Sequence, residues 1–148
     1  MPGLFFGNFD HSLDPKSRLI IPARFREALT KEGKALDFFL TPGLDKCVFL
    51  FTSEQYAKMC KKLEERTTAT PDERNFARRF FGEANPCSAD GMGRIILPDY
   101  LKHHASIQKD VKIVGVSTRI EIWDRVKWEH LRAATNDDYE SQASGVLR

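Results

Sequence analysis

Two aspartate–arginine pairs, Asp14/Arg18 and Asp90/Arg94, stand in the chain with the same spacing, four residues apart. An aspartate at the first position of a tight turn accepts backbone N–H bonds and fixes the turn. An arginine four residues later emerges at the start of the next strand. Its planar fork of donors matches guanine O6 and N7, or phosphate oxygens. Such a unit presents a guanidinium; it does no bond-breaking chemistry on a substrate.

The pairs belong to a longer repeat. Residues Ser12–Pro22 return 76 positions on as Ser88–Pro98, with Ser, Asp, Arg, Ile and Pro identical at five places. Leu19/Ile95 and Ile21/Leu97 keep the same chemistry, and Arg26/Lys102 keeps a cation further on. About one identity would arise by chance in such a window, so this is an internal duplication. A lone Asp-x-x-x-Arg reads most simply as an ion pair that steadies its own loop. Duplication in register, with the same flanking pattern, favours a presenting role beside that structural one.

Charge supports a local site rather than a global one. The 148-residue chain has a formal net charge of only +2, so nucleic-acid affinity must come from clustering. Residues 14–26 supply it: Lys16, Arg18, Arg24 and Arg26 face the single acid Asp14. No apolar run of about 18 residues is present, which argues against a membrane span, and no secretory signal is visible. Cys47, Cys60 and Cys87 are odd in number and far apart, so neither a disulfide framework nor a zinc pattern fits, and a reduced cytoplasmic setting is expected.

Other constellations carry less. Asp10-His11-Ser12 has the residues of a hydrolytic triad, but neighbours on a strand point to opposite faces. His103-His104 lacks a third metal ligand at useful spacing and suits a helix end. Cys47 and Cys60 lie in apolar patterns, whereas Cys87 is expected to be more exposed. Arg74, Arg78 and Arg79 on a helix could form a second surface for DNA phosphates, but better suit a solvated or subunit-facing side paired with Glu73 and Glu83. Phe76, Phe80 and Phe81 fall at helical spacing, as core or subunit contacts do.

The elements that must position the pairs follow from pattern. In the first copy these are a strand over Leu4–Asp10, the turn Asp14–Ser17, a strand Arg18–Ile21 stopped by Pro22, and a short helix. Paired strands Asp37–Thr41 and Cys47–Phe51 come next, then a helix capped by Thr52 or Ser53. A linking helix starts at Pro71. The second copy repeats the order, with a short helix after Pro98, strands Val111–Val116 and Arg119–Trp123, and a helix from Asp124. The expected segments are 1–63 and 85–135 as the two copies, 64–84 as a helical link and 136–148 as a polar tail, helical and then frayed. The expected fold is α+β, mainly β with helices packed outside. Hairpins of the two copies would interlock and close a small barrel, and Ile120-Glu121-Ile122 would leave one strand face in water.

Several phrases resemble the MraZ family of bacterial transcriptional regulators. They are Leu13-Asp14-x-Lys16-x-Arg18-x-x-Ile21-Pro22, Arg24-Phe25-Arg26, Asp90-Gly91-x-Gly93-Arg94-x-x-Leu97-Pro98, Gly115, Glu121-Ile122-Trp123 and Trp128. The resemblance runs from Phe5 to about Arg132. It implies two AbrB-like swapped-hairpin repeats, ring-shaped homo-oligomers, no cofactor, and binding of double-stranded DNA through the first copy. Its implied targets are short G-containing repeats in the promoter of the protein's own division and cell-wall operon, which it would repress from the nucleoid. Arg18 takes the base-reading position, with Asp14 and Lys16 beside it and Arg24 and Arg26 nearby; Arg94 and Asp90 take the second copy's. The family's usual Gly before the first Arg is replaced by Ser17, which would be strained if φ is positive there. The competing reading is an oligomeric module whose basic patch holds an acidic protein. An enzyme is not expected, for want of a clustered acid, base or metal set.

Overall fold

The computed structural model describes residues 4–66 and 69–147. Thr67 and Thr68 of the expected link, and Arg148 of the expected tail, lie outside them.

Both copies lay down the same elements. The first contains β1 (Asn8–Ser12), β2 (Arg18–Ile20), α1 (Ala23–Lys31), β3 (Asp37–Pro42), β4 (Val48–Thr52) and α2 (Ser53–Glu64). After α3 (Pro71–Gly82), the second contains β5 (Asn85–Ser88), β6 (Arg94–Ile96), α4 (Asp99–Ala105), β7 (Asp110–Val116), β8 (Arg119–Asp124) and α5 (Arg125–Thr135). A final helix, α6, spans Tyr139–Leu147. The tail thus begins with a turn over 136–138, where a helical start was expected, and carries its helix after that. β1 begins later than the sequence pattern suggests. Gly7 breaks the extended run with φ +91, and Phe5 makes only an isolated bridge to Ser117.

Helix starts obey their capping signals. Thr52, not Ser53, caps α2 by accepting the Gln55 N–H at 3.1 Å, and Asp124 caps α5 by accepting that of Lys127 at 3.1 Å. Thr70 and Glu73 form a reciprocal capping box on α3, with Pro71 at its first turn.

The copies exchange strands. The main sheet is antiparallel, in the order β1-β7-β8-β4-β3-β5. Each copy's first strand therefore pairs with a strand of the other copy, β1 with β7 and β5 with β3. β2 and β6 pair only with each other, and their central residues Leu19 and Ile95, counterparts in the duplication, lie directly opposite. A local two-fold axis must pass between them. It passes again between Phe49 and Glu121, which face each other across β4 and β8.

The expected barrel is not closed. β2 and β6 are three residues each and run into Pro22 and Pro98, so neither is long enough to join the edges β1 and β5. Pro86 in β5 lacks an N–H, which suits an edge strand.

Both faces of the sheet are covered. One face carries Phe38, Leu40, Val48, Leu50, Val111, Ile113, Ile120 and Ile122, packed on Leu19 and Ile95 of the ribbon and on Phe25, Leu29 and Leu101 of α1 and α4. The other carries Phe49, Phe51 and Trp123, packed with Tyr56 of α2 and Phe80 of α3. This double burial explains the unbroken apolar run of β4. It also corrects the expectation of a solvated face around Glu121. That side chain is only 13 % exposed; it pairs with Arg119 at 2.8 Å and accepts the Trp123 Nε1–H at 3.0 Å.

Candidate nucleic-acid interface

Each Asp-x-x-x-Arg loop folds around its carboxylate. Asp14 Oδ1 accepts the N–H of Lys16 at 2.9 Å and of Arg18 at 2.8 Å, while Oδ2 takes Arg18 Nε at 2.5 Å. The second loop repeats this bond for bond: Asp90 Oδ1 accepts the N–H of Met92 and of Arg94, each at 2.9 Å, and Oδ2 takes Arg94 Nε at 2.9 Å. Backbone bonds close both turns, from Ser17 N–H to Asp14 O and from Gly93 N–H to Asp90 O, each at 2.9 Å. The backbone N–H of Arg18 holds the Asp14 carboxyl below the usual aspartate range, helped by the Arg18 side chain and the Lys16 N–H. The backbone N–H of Arg94 does the same for Asp90, helped by the Met92 N–H and the Arg94 side chain. Groups that hydrogen-bond the charged form favour it.

The plainer reading, that Asp and Arg pair with each other, is therefore true. It is also incomplete. The carboxylate engages Nε, and among the described residues the Nη1 and Nη2 groups of both arginines have no protein partner. A guanidinium held by its Nε keeps its terminal donors for something outside the protein.

The ribbon sets where those donors face. Leu19 and Ile95 are 2 % and 1 % exposed and point into the core. By alternation Arg18, Ile20, Arg94 and Ile96 share the outward face. Arg18 lies opposite Ile96, and Arg94 opposite Ile20. The two arginines are therefore diagonal neighbours, about 7–8 Å apart at Cα. Cross-bonds stiffen the ribbon ends: Ile21 donates to Gly93 O and Leu97 to Ser17 O, each at 2.9 Å.

The remaining predicted site residues divide. Lys16 is exposed at the tip of the first turn, and its counterpart in the second is Met92. Arg24, exposed on α1, rests its guanidinium 5.4 Å from the Phe9 ring centroid. Arg26 donates from Nε to Ile21 O at 2.8 Å and lies over Gly93. Its counterpart Lys102 donates to Ser17 Oγ at 2.8 Å. Sequence reasoning left out Lys102 and Ile96. The Arg26/Lys102 correspondence signalled the first; the second sits two residues beyond Arg94, the spacing that puts two strand residues on one face.

Residues set aside by the sequence fall elsewhere. His103 and His104 end α4, and Arg79 pairs with Glu83 at 2.6 Å. Phe80 is buried, whereas Phe76 is 41 % exposed. Cys87 is half-buried against the core rather than exposed, and burial pushes its thiol up to about 11. A cleft of about 210 Å3 between α1, β3 and the start of α2 is lined in part by Leu4, Phe5, Leu29, Lys34, Asp37 and Glu54. Lys34 and Glu54 pair with each other across it. No helix among the described residues is long and apolar enough to cross a membrane.

A family model described as "MraZ protein, putative antitoxin-like" matches the chain twice, over residues 4–79 and 80–147. The chain belongs to the MraZ family. Relatives named "Transcriptional regulator MraZ" are similar over nearly their whole length. The one from Moorella thermoacetica is 44 % identical over 144 residues, 97 % of each chain. Those from Desulforamulus reducens and Acetivibrio thermocellus are 39 % and 41 % identical, over 97 % and 95 % of this chain and 98 % and 94 % of theirs. Kinship with proteins of that name supports a role in transcription regulation. Within this MraZ fold both matched repeats contribute one strand to the ribbon that carries the arginines.

Proposed function

We propose that the protein regulates transcription by binding double-stranded DNA in a sequence-specific way, with the β2–β6 ribbon as its reading element. The observation that carries this is the state of the two guanidinium groups. Each is fixed at Nε by its own aspartate, lies on the outward face of a stiff two-stranded ribbon, and keeps its terminal donors unpaired. A two-stranded ribbon fits the major groove, where an arginine fork pairs with guanine O6 and N7.

In this reading Arg18 contacts guanine, Asp14 orients it, and Lys16 and Arg24 attract phosphates. Arg26 steadies the second loop, where Asp90 and Arg94 form the subsidiary contact. One arginine contact gives little discrimination, so a ring-shaped homo-oligomer engages several spaced, G-containing boxes at once and gains by effective concentration. The target is the promoter of the protein's own division and cell-wall operon, the effect is repression, and the setting is the cytoplasmic nucleoid. No cofactor or catalytic step is required.

A salt-titrated gel shift on the DNA upstream of the protein's own gene tests this. Specific binding should weaken steeply with salt and favour duplexes that keep their guanine repeats. Binding that ignores sequence would instead favour the acidic-protein partner.

A further inference from the structure

Ile96 is 60 % exposed on the surface that carries the two arginines, opposite Arg18 and two residues along its strand from Arg94. Its counterpart Ile20 is only half-buried by comparison, so exposure is not a general consequence of the ribbon's geometry. We propose that Ile96 is a second specificity-determining residue, packing on the 5-methyl group of a thymine beside the guanine read by Arg18. The proposal rests on the DNA-reading function above and adds to it a base that no polar contact would identify.

The chemistry narrows the choice of ligand. An apolar side chain flanked by two guanidinium groups is a poor seat for another apolar protein surface, because docking there would strip water from both cations. DNA satisfies the cations and the isoleucine together. Among base edges in the major groove, thymine alone among the four standard bases offers a methyl group, and aliphatic side chains contact it. The distances agree as well. Directly opposed residues of an antiparallel pair have Cβ atoms about 4.5–5.5 Å apart, while successive bases on one strand rise by about 3.4 Å. Arg18 and Ile96 therefore address positions one or two steps apart. The predicted preference is a guanine with a thymine one or two positions away.

The experiment uses the full-length protein and a duplex that it selects from a random-sequence pool. Each thymine of that duplex is replaced in turn by deoxyuridine, which removes only the methyl group. One replacement near the guanine should weaken binding of the wild-type protein about fourfold, the effect of losing one buried methyl-sized group. The same replacement should leave Ile96→Ala unaffected, and Ile96→Val should lie between. Deoxyuridine tolerated at every position by the wild-type protein would overturn the Ile96 assignment while leaving guanine reading by Arg18 intact. A penalty that persists in Ile96→Ala would give the methyl contact to another residue. A pool that yields no preferred sequence would instead sink the DNA-reading function itself. Loss of native oligomer mass in Ile96→Ala, without any deoxyuridine effect, would make Ile96 a subunit contact and also overturn the proposal.

Discussion

The two Asp-x-x-x-Arg loops share one hydrogen-bond pattern and differ in what lies over the turn. Before Arg18 stands Ser17, with φ +58, whose hydroxyl accepts a hydrogen bond from Lys102. Before Arg94 stands Gly93, with φ +82, and Arg26 lies across it so closely that a Cβ there would sit 2.7 Å from Arg26 Cδ and Nε. Because the copies exchange strands, each loop is covered by the cation of the other copy. A hydroxyl meets a compact ammonium; a bare backbone meets a broad guanidinium. The pairs are matched, and Ser17 standing where the second loop has Gly93 belongs to that matching. Decoration differs too, since the exposed tip residue is Lys16 in the first loop and Met92 in the second.

That last difference ranks the loops for DNA, and the largest effects should appear there. Arg18→Ala should weaken binding to a guanine-containing operator by roughly 5- to 150-fold per subunit contact, the range for one bidentate base pairing. Native mass and melting temperature should stay nearly unchanged, because a surface ion pair still reached by solvent contributes little to stability. Arg94→Ala should lose less, since no phosphate-seeking lysine accompanies it. Equal losses in a gel shift would mean that both loops read bases and would reverse the ranking.

Gly93→Ala comes next and tests the covering cation. An alanine at φ +82 is strained by about 1–3 kcal/mol, and its methyl must push Arg26 off the turn. Thermal unfolding should fall by roughly 2–10 °C for a chain of this size. Ser17→Ala keeps the backbone as it is and removes one hydrogen bond, so it should fall by less. Equal drops would show that the two loops are covered in the same way after all.

A pH titration should find the loops alike where their bonding is alike. Both carboxyls are held below the ordinary aspartate pKa of about 3.9 by backbone N–H groups of the turn. The folded-state pKa is the lower one. The stabilisation is therefore complete above the unfolded value and disappears as pH falls through the folded one. Carboxyl-carbon NMR shifts of Asp14 and Asp90 should give midpoints below that of a model peptide. A midpoint at the model value for either residue would mean that its turn is loose in solution.

Much of this arrangement was legible in the residues and some was not. Duplication exposed the turns, the strand starts and the two presented arginines, because Asp, Arg and Pro act through local geometry. For the same reason Thr52 was legible as one of two candidate caps, and the helix start near Asp124 was legible without its cap. The pairing of β2 with β6 was not, since three residues carry no pattern that names a partner. Glu121 reads as solvated until the helices cover its face, although its partners Arg119 and Trp123 stand only two residues away on the same side of β8. The bond from Arg26 to Ile21 O and its place over Gly93 were hidden, because sequence records a charge but not the direction of its side chain. Ile96 was easy to pass over in the apolar run Ile95-Ile96-Leu97, where only its spacing from Arg94 marks it as the outward member.

Ser17→Gly should produce the smallest change, and its smallness is the argument for matched pairs. Glycine relieves a positive-φ residue by about 1 kcal/mol. Against that, it widens the unfolded ensemble by about 0.4–1 kcal/mol and removes the bond from Lys102, about 0.5–1.5 kcal/mol. These oppose, so the net should run from about zero to about 1.5 kcal/mol of destabilisation. Lys102→Met isolates the last contribution: in its background Ser17→Gly should become neutral to slightly stabilising, because only the strain relief and the chain entropy remain to compete. Additive effects of the two substitutions in denaturant unfolding would show that Lys102 does not support Ser17, and the first loop would then owe its geometry to Asp14 alone.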